Sequence, residues 1–506
     1  MSKKKIIIYP YLFAVYPILY LFKVNIDQTG FHVILLPLSA LIVFTYLLIK
    51  ILNKYFKNED KTAVGVSFFY LWLFSYSAIR STIMYEIFGV LFYRHRYFIV
   101  ILLIVLLVLL IFYLKAKWNY QRLSEYMKYL SYIMFSLIII QILANLLKEL
   151  PDPQYSQEDT QEVEANVSVE KESLPDIYYI ILDAYSGQVV LKDVLGFDNS
   201  EFLNYLRDKG FYIADSSHSN YAWTALSITS SLNMDYLPVK SLNNDSSQLT
   251  IDPSYSLYKN IVDNKFEKIL KEAGYKFQDL SIWSNTSLRY TNPRNYSEQF
   301  ITNNFNLALI QMTFLGRPLV DNFLLAYSKR TRIQNKFTEL KNISNDIGPQ
   351  FVYAHILIPH HPYVFSQDGS PPNFFNGVLE LGSDRKLYIE QLIYANKEII
   401  KVVDAILKKR RNGVDPIIII QGDHGAFNLG KNKKENIKLR MNILNAYYVT
   451  ESCKKILYKS ITPVNSFRAI LNSYFGVNNT LIPDKSFYSS LEDNKNILEV
   501  TDQLTK

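Results

Sequence analysis

The chain has 506 residues, with 54 Lys and Arg against 46 Asp and Glu, a formal net charge of +8 and a pI near 9.0. That excess does not mark a nucleic-acid protein, because much of it sits in short basic clusters beside very apolar stretches, the pattern of a membrane protein. Cys453 is the only cysteine, which excludes an intrachain disulfide and any zinc site built on thiolates.

Apolar stretches recur at about 6–23, 31–52, 66–92, 98–114 and 127–147, and each supplies or nearly supplies the ~20 residues that cross a bilayer as a helix. The clearest is FIVILLIVLLVLLIFYL, Phe98 to Leu114, followed at once by Lys115 and Lys117. The third carries Arg80, which is costly inside a membrane and is expected to face the bundle or to snorkel toward Glu86. No small-residue cleavage site follows the first stretch, so it reads as a span and not as a signal peptide. With the N-terminus inside, the cytoplasmic segments hold Lys3, Lys4, Lys5, Lys50, Lys54, Lys57, Lys61, Lys115, Lys117, Arg122 and Lys128. The outer segments hold Lys23, Arg94, Arg96 and Lys148, so the balance is eleven against four. The positive-inside rule then places everything after Leu147 outside the cytoplasm. Residues 1–150 are thus expected to be a transmembrane bundle of about five helices.

From 151 to 174 the chain turns acidic and polar, with too little apolar surface to fold, and reads as a flexible linker. Residues 175–506 then alternate strand-like and helix-like runs, the mark of an α/β domain with a mainly parallel central sheet. DIYYIIL, 176–182, is a strand ending in Asp183. A helix over 200–209 is closed by Gly210. Thr224 heads an apolar-periodic segment, near a helix N-terminus where backbone N–H groups favour an anion such as phosphate. A helix over 259–273 precedes a strand at 275–280. FVYAHILI, 351–358, leads into Pro359, His360, His361 and Pro362, and His355 inside that strand reads as a hydrogen-bonded buried histidine. A long helix over 384–411 precedes PIIIIQGDHGAF, 416–427, whose four isoleucines fit a strand buried on both faces. TPVNSFRAILNSYFG, 462–476, reads as an amphipathic packing helix.

Asp423-His424 alone is also what a polar turn after a strand looks like. Its companions change the weighing: three strands end in Asp183, His360 and Asp423-His424, with Thr224 at a helix start. Two acids, a histidine and a hydroxyl can hold one divalent ion, and the ion would make the hydroxyl a nucleophile at neutral pH.

In this order the pieces resemble the alkaline phosphatase superfamily, and within it the membrane-anchored sulfatase-like transferases, namely the lipoteichoic acid synthases and phosphoethanolamine transferases. The matching pieces are Asp183 at the first strand end, N-Y-L-x-x-x-G at 204–210, L-K-E-A-G-Y at 270–275 and Thr224 followed by Ser231-Leu232-Asn233. To these are added His355 with His360-x-Pro362, and Asp423-His424-Gly425. The resemblance implies a metal site of Asp183, Thr224, Asp423 and His424. It makes Thr224 the nucleophile, and His360, with His361 as its rival, the group that contacts the phosphoryl or protonates the leaving oxygen. The first acid is Asp where the transferases use Glu, and no second histidine follows Gly425, leaving Arg440 as the anion-binding candidate. The ion would be zinc or manganese by preference, with magnesium or calcium compatible. No Cys or Ser stands in a C/S-x-P-x-R setting, which argues against a strict sulfatase.

The expected activity is transfer of a phosphoglycerol or phosphoethanolamine group from a membrane phospholipid to an envelope glycan or lipid, on the outer side of a bacterial cytoplasmic membrane. A phosphate or sulfate ester hydrolase on the same site is the alternative, and a non-catalytic envelope assembly protein a further one. No nucleic-acid partner is expected, and the sequence carries no sign of oligomeric state.

Overall fold

The computed structural model describes residues 7–26, 31–79, 95–115, 117–148, 174–242, 245–252, 255–281, 304–314, 316, 325–343, 348–372, 384–490 and 496–504. Arg80, Glu86 and nearly all of the acidic linker lie outside them. The chain forms two compact units, Met1–Gln161 with Pro293–Leu325, and Glu162–Asn292 with Ala326–Lys506. This differs in one respect from a single break near residue 150: the stretch Pro293–Leu325 returns to the first unit.

In the first unit, α1 (Tyr9–Val24), α2 (His32–Phe56), α3 (Glu59–Ile79), α4 (His95–Lys115) and α5 (Tyr120–Lys148) follow the apolar stretches. Among the described residues three helices, His32–Phe56, Glu59–Ile79 and Tyr120–Asn145, are long and apolar enough to cross a membrane, and Tyr9–Val24 and Val100–Lys115 are shorter apolar helices. Helix α3 starts seven residues before the apolar run expected at 66–92, because Glu59 and Asp60 favour a helix N-terminus. Leucine, isoleucine and valine side chains from Val100 to Leu114 are largely exposed, as suits a helix facing lipid. Tyr9, Phe13, Ala14, Val64 and Tyr70 pack inside, and polar groups pair between helices, Thr45 Oγ1 with Tyr70 OH at 2.6 Å and Tyr9 OH with Ser124 Oγ at 3.1 Å. The returning helix Asn304–Gln311 places Phe305 and Leu309 against Ile18, Phe22, Ile34, Ile138 and Ile142. Beyond it the Met312 carbonyl accepts from Ser77 N at 3.2 Å, and Phe314 packs on Trp72.

The second unit is built on six strands: β1 (Ile177–Leu182), β2 (Tyr212–Ile213), β5 (Lys276–Asp279), β6 (Gln350–Ile356), β7 (Ile417–Gln421) and β8 (Asn445–Tyr448). Their order is β2-β8-β7-β1-β6-β5, and only β8 runs against the others. A smaller antiparallel sheet takes the remaining strands, β3 (Val239–Leu242), β4 (Asp245–Ile251), β9 (Phe487–Tyr488) and β10 (Asn496–Glu499), in the order β3-β4-β10-β9.

The four isoleucines of β7 alternate between two cores. Ile418 and Ile420 join Tyr178, Ile180, Val352 and Ala354 under the helix Arg385–Lys408, while Ile417 and Ile419 join Tyr179, Ile181, Phe351 and Tyr353 under Lys265–Glu272 and Pro463–Phe475. Both faces are covered, which is why the run shows no polar alternation. The single helix expected at 259–273 is two, Leu257–Val262 and Lys265–Glu272. Asn264 breaks it, its Oδ1 accepting from Glu267 N at 2.8 Å as an N-cap.

Register places the site. Leu182 pairs with Ile356 and Ile181 with Gln421, so β1, β6 and β7 end side by side. Whatever follows these three strands emerges at one edge, the carboxyl edge where open α/β sheets hold ligands.

Candidate metal centre

Asp183 follows β1 and is tied to the end of β6 and to the turn after it. Its N–H donates to the Ile356 carbonyl and its carbonyl accepts from His360 N, each at 3.0 Å. The next residue, Ala184, holds φ +65, a left-handed conformation that costs roughly 1–2 kcal/mol for a non-glycine residue. That turn aims the Ala184 N–H at Asp423 Oδ1, 3.2 Å away. His424 N donates to the same oxygen at 2.9 Å, so Asp423 Oδ2 is left pointing inward. Gly422 and Gly425 let the backbone pass where no side chain fits: a Cβ on Gly422 would lie 2.5 Å from the Tyr185 carbonyl, and one on Gly425 1.9 Å from that of Leu439.

Thr224 opens the helix Thr224–Asn233, with Trp223 in extended conformation just before it. The Thr224 hydroxyl and the uncapped N–H groups of that turn therefore face the same point. Ser219 fixes the approach, its Oγ donating to the Asp423 carbonyl at 2.5 Å and lying 3.3 Å from Ser227 Oγ on the same helix.

His424 Nδ1 faces its neighbour's carbonyl, Gly425 O, at 3.1 Å and donates to it, which leaves a lone pair on Nε2. That nitrogen stands 3.0 Å from Thr224 Oγ1, 3.3 Å from Asp423 Oδ2 and 3.6 Å from Asp183 Oδ1. Both of those carboxylate oxygens are buried without a hydrogen-bond partner. Acceptors turned toward one another in a buried place are costly unless a cation lies among them. A tetrahedral ion with bonds of about 2.1 Å separates its ligands by roughly 3.4 Å, close to the three distances found. Among the described residues, Asp183, Asp423 and His424 form the one acid–histidine group whose ligand atoms lie within 4.8 Å of one another. The residues present fit a divalent ion.

Electrostatics agree with this donor set. Burial works against the Asp183 carboxylate, but the imidazoles of His360, His355 and His424 outweigh it and hold the group well below the usual range. Burial and the Asp183 charge push Asp423 up to about 7. Burial, helped by the Arg440 guanidinium, keeps His424 neutral far below its ordinary pKa. Below about pH 7 the pair of carboxylates therefore keeps one proton when nothing else neutralises it.

His360 and His361 lie at the rim, their rings stacked with centroids 4.3 Å apart, and the His360 ring is 6.5 Å from that of His424. His360 Nδ1 donates to the His361 carbonyl, so its Nε2 is the nitrogen left for chemistry. Burial, together with the neighbouring His360, lowers the His361 ring to about 3. Arg440 is buried. Its Nε donates to the Ala222 carbonyl at 2.6 Å and its Nη1 to that of Gly425 at 3.2 Å, while the guanidinium covers the Trp223 and Phe427 rings. It thus braces the segment before Thr224 against the one after His424, a role the sequence did not suggest.

Two further groups join the site. His355 lies fully buried beneath it, Nε2 3.5 Å from Asp183 Oδ2. Lys329, on the helix Leu325–Lys341, is buried and donates from Nζ to the carbonyls of His360 and Pro362. Burial lowers its pKa to about 7, against the pull of Asp183. Gln391 also donates to the His360 carbonyl, at 2.9 Å. Nothing in the polar run SKRTR distinguishes Lys329 from the residues around it, whereas His355 stood in a readable His-x4-His spacing.

No family model matches the chain, and no curated protein sequence matches it. Among solved structures, it is similar to the C-terminal periplasmic domain of EcEptC from Escherichia coli in complex with Zn, at 11% identity and a TM-score of 0.40, over 65% of this chain and 94% of that one. The C-terminal periplasmic domain of phosphoethanolamine transferase EptC from Campylobacter jejuni follows at 13% identity and a TM-score of 0.38, over 62% and 92%. The integral membrane lipooligosaccharide phosphoethanolamine transferase A (EptA) from Neisseria meningitidis reaches 11% identity and a TM-score of 0.40, over 92% of this chain and 95% of that one. Likeness at this level assigns no residue a role. The structural neighbours of this chain include phosphoethanolamine transferases, one of them an integral membrane protein, and a putative sulfatase from Bacteroides fragilis.

Proposed function

We propose that the chain is a membrane-bound, metal-dependent phosphoryl-group transferase of the alkaline phosphatase superfamily. It would move a phosphoglycerol or phosphoethanolamine group from a phospholipid to an extracytoplasmic glycan or lipid. The observation that carries this reading is Thr224 Oγ1, at a helix N-terminus, 3.0 Å from a histidine lone pair that also faces two buried carboxylates. A hydroxyl has no need of such surroundings for capping a helix; a nucleophile that must lose its proton at neutral pH does.

Asp183, Thr224, Asp423 and His424 would hold one divalent ion, zinc or manganese by preference, which when bound acidifies the Thr224 hydroxyl and offsets phosphoryl charge. Thr224 Oγ1, deprotonated, forms a bond to phosphorus as the ester bond to the lipid's glycerol oxygen breaks. The Thr224 proton would pass by way of the His360 Nε2 lone pair to the departing oxygen, and diacylglycerol leaves, with phospho-Thr224 remaining. In the second half, His360 Nε2 would take the proton of the acceptor hydroxyl, whose oxygen replaces Thr224 Oγ1 on phosphorus, and return it to the released Thr224 oxygen. The free N–H groups at the start of the Thr224 helix face the phosphoryl oxygens throughout. His361 at the rim would add a polar group for the anion, while Arg440, engaged with the Ala222 and Gly425 carbonyls, would act on it only through its charge. The apolar helices of the first unit give a lipid donor a reason to be the substrate.

The test is direct. Full-length protein in detergent is incubated with vesicles of phosphatidylethanolamine and phosphatidylglycerol, and the Thr224 peptide is weighed by mass spectrometry. A phosphorus-containing adduct on Thr224 is expected in the wild type. Thr224→Ala should release no diacylglycerol while unfolding at the same temperature; release at the wild-type rate by that variant would sink the mechanism. Adding a polyol acceptor separates transfer from hydrolysis, since a hydrolase gives the same products with and without it.

A further inference from the structure

We infer that His355 is a positioning residue that holds the two carboxylates of the metal centre in their ligand orientation from the buried side. The inference rests on the metal reading of the site given above.

The sheet itself sets this geometry. Ile181 pairs with His355 on one side and with Gln421 on the other, so Gln421, Ile181 and His355 form one row across β7, β1 and β6. In-register neighbours of a parallel sheet send their side chains to the same face, and Asp183, two residues past Ile181, lies one step above this row. Gln421 is engaged elsewhere, its amide donating to Asn445 Oδ1 at 2.9 Å and its carbonyl accepting from Tyr179 OH at 2.8 Å. The row therefore offers His355 alone to the carboxylates above it.

His355 is fully buried, its Nε2 3.5 Å from Asp183 Oδ2 and 4.0 Å from Asp423 Oδ2. Facing two carboxylates, Nε2 is the nitrogen that carries a proton, which makes it a donor and not a ligand. Asp183 thereby has a donor on one oxygen only: Oδ2 faces His355 Nε2, which leaves Oδ1, 3.6 Å from the His424 Nε2 lone pair, for an ion. A donor on Oδ2 restrains partial rotation of the Asp183 carboxyl about its Cβ–Cγ bond, which would swing Oδ1 away from the ligand position. Groups that orient ligands in this manner alter metal affinity about 10–100-fold when removed.

The experiment compares His355→Gln, His355→Asn and His355→Leu in the detergent-solubilised full-length chain. Zinc and manganese affinity are read by competition with a chromophoric chelator, metal stoichiometry by elemental analysis, and the ligand field by the visible spectrum of the cobalt-loaded protein. Thermal unfolding in excess chelator reports folding separately. The expected result is one ion per chain throughout, with affinity about 10–100-fold weaker for Leu and for Asn, which is too short to reach. Gln, whose amide N–H reaches as far as Nε2, should bind within a few-fold of the wild type and restore the cobalt spectrum. If His355→Leu does not fold, the Gln–Asn pair still decides the matter. Unchanged affinity in Asn and Leu overturns the inference alone, as does a wild type with two ions and a Leu variant with one, which would make His355 a ligand. A wild type that binds no metal overturns the metal reading and the inference with it.

Discussion

Asp423 carries the clearest pH consequence of the site. Its carboxyl is raised to about 7 by burial and by Asp183, whereas an ion can be bound only by the deprotonated group. Below about pH 7, each ion bound must therefore expel a proton from the pair, and affinity should fall about tenfold per pH unit. Above that value Asp423 is already ionised and affinity should level off, because His424 is held neutral and asks for no proton. Chelator competition at a series of pH values checks this; a flat profile would mean that the two acids do not share the ion. Asp183, Thr224, Asp423 and His424 were legible in the sequence because each ends a strand or begins a helix in apolar surroundings, where a polar residue must answer for its place. Arg440, Lys329 and Ser219 were not legible in their observed roles. Their partners are backbone carbonyls, as with Ala222, His360 and Asp423, and a carbonyl leaves no mark on the sequence.

Elements differ in how much of them their residues announce. The run Ile417–Ile420 is unambiguous, since only a strand covered on both faces uses four β-branched residues in succession. Strands β2 and β9 have two residues each, and β3 and β4 are largely polar, so no periodicity could mark them. The split helix at Asp263-Asn264 is a case of side-chain chemistry overriding pattern: apolar spacing continues through it, but Asn264 caps and redirects the chain. These two kinds of element respond differently to substitution. Ile419→Ala, which empties part of a core lined by Tyr179 and Phe467, should cost about 2–5 kcal/mol. Asn264→Ala, which removes a cap, should cost about 1 kcal/mol. Chemical denaturation followed by tryptophan fluorescence ranks the two, and an equal cost would contradict the packing described.

At the scale of the whole chain, the balance of basic residues around the apolar helices is what separates this protein from a nucleic-acid binder of the same net charge. Composition reveals that a membrane half precedes an α/β half, and it cannot reveal that Pro293–Leu325 rejoins the first unit. The helix Asn304–Gln311 is short and amphipathic, indistinguishable in sequence from one that packs on a sheet. Yet Phe305 and Leu309 are buried among Ile18, Phe22 and Ile138. This gives the second unit two moorings of different kinds, one the covalent chain near residue 161 and the other an apolar plug. Cutting the first should not free the second unit. With a protease site engineered between 151 and 173, the severed C-terminal fragment is expected to sediment with membranes. It should be shed into the supernatant only when Phe305 and Leu309 are both replaced by Ser, and shedding without those changes would show the plug to be too weak to hold it. Proteolytic release of the second unit would then demand three cuts, one at each point where the chain passes between the units, where a simple tether demands one.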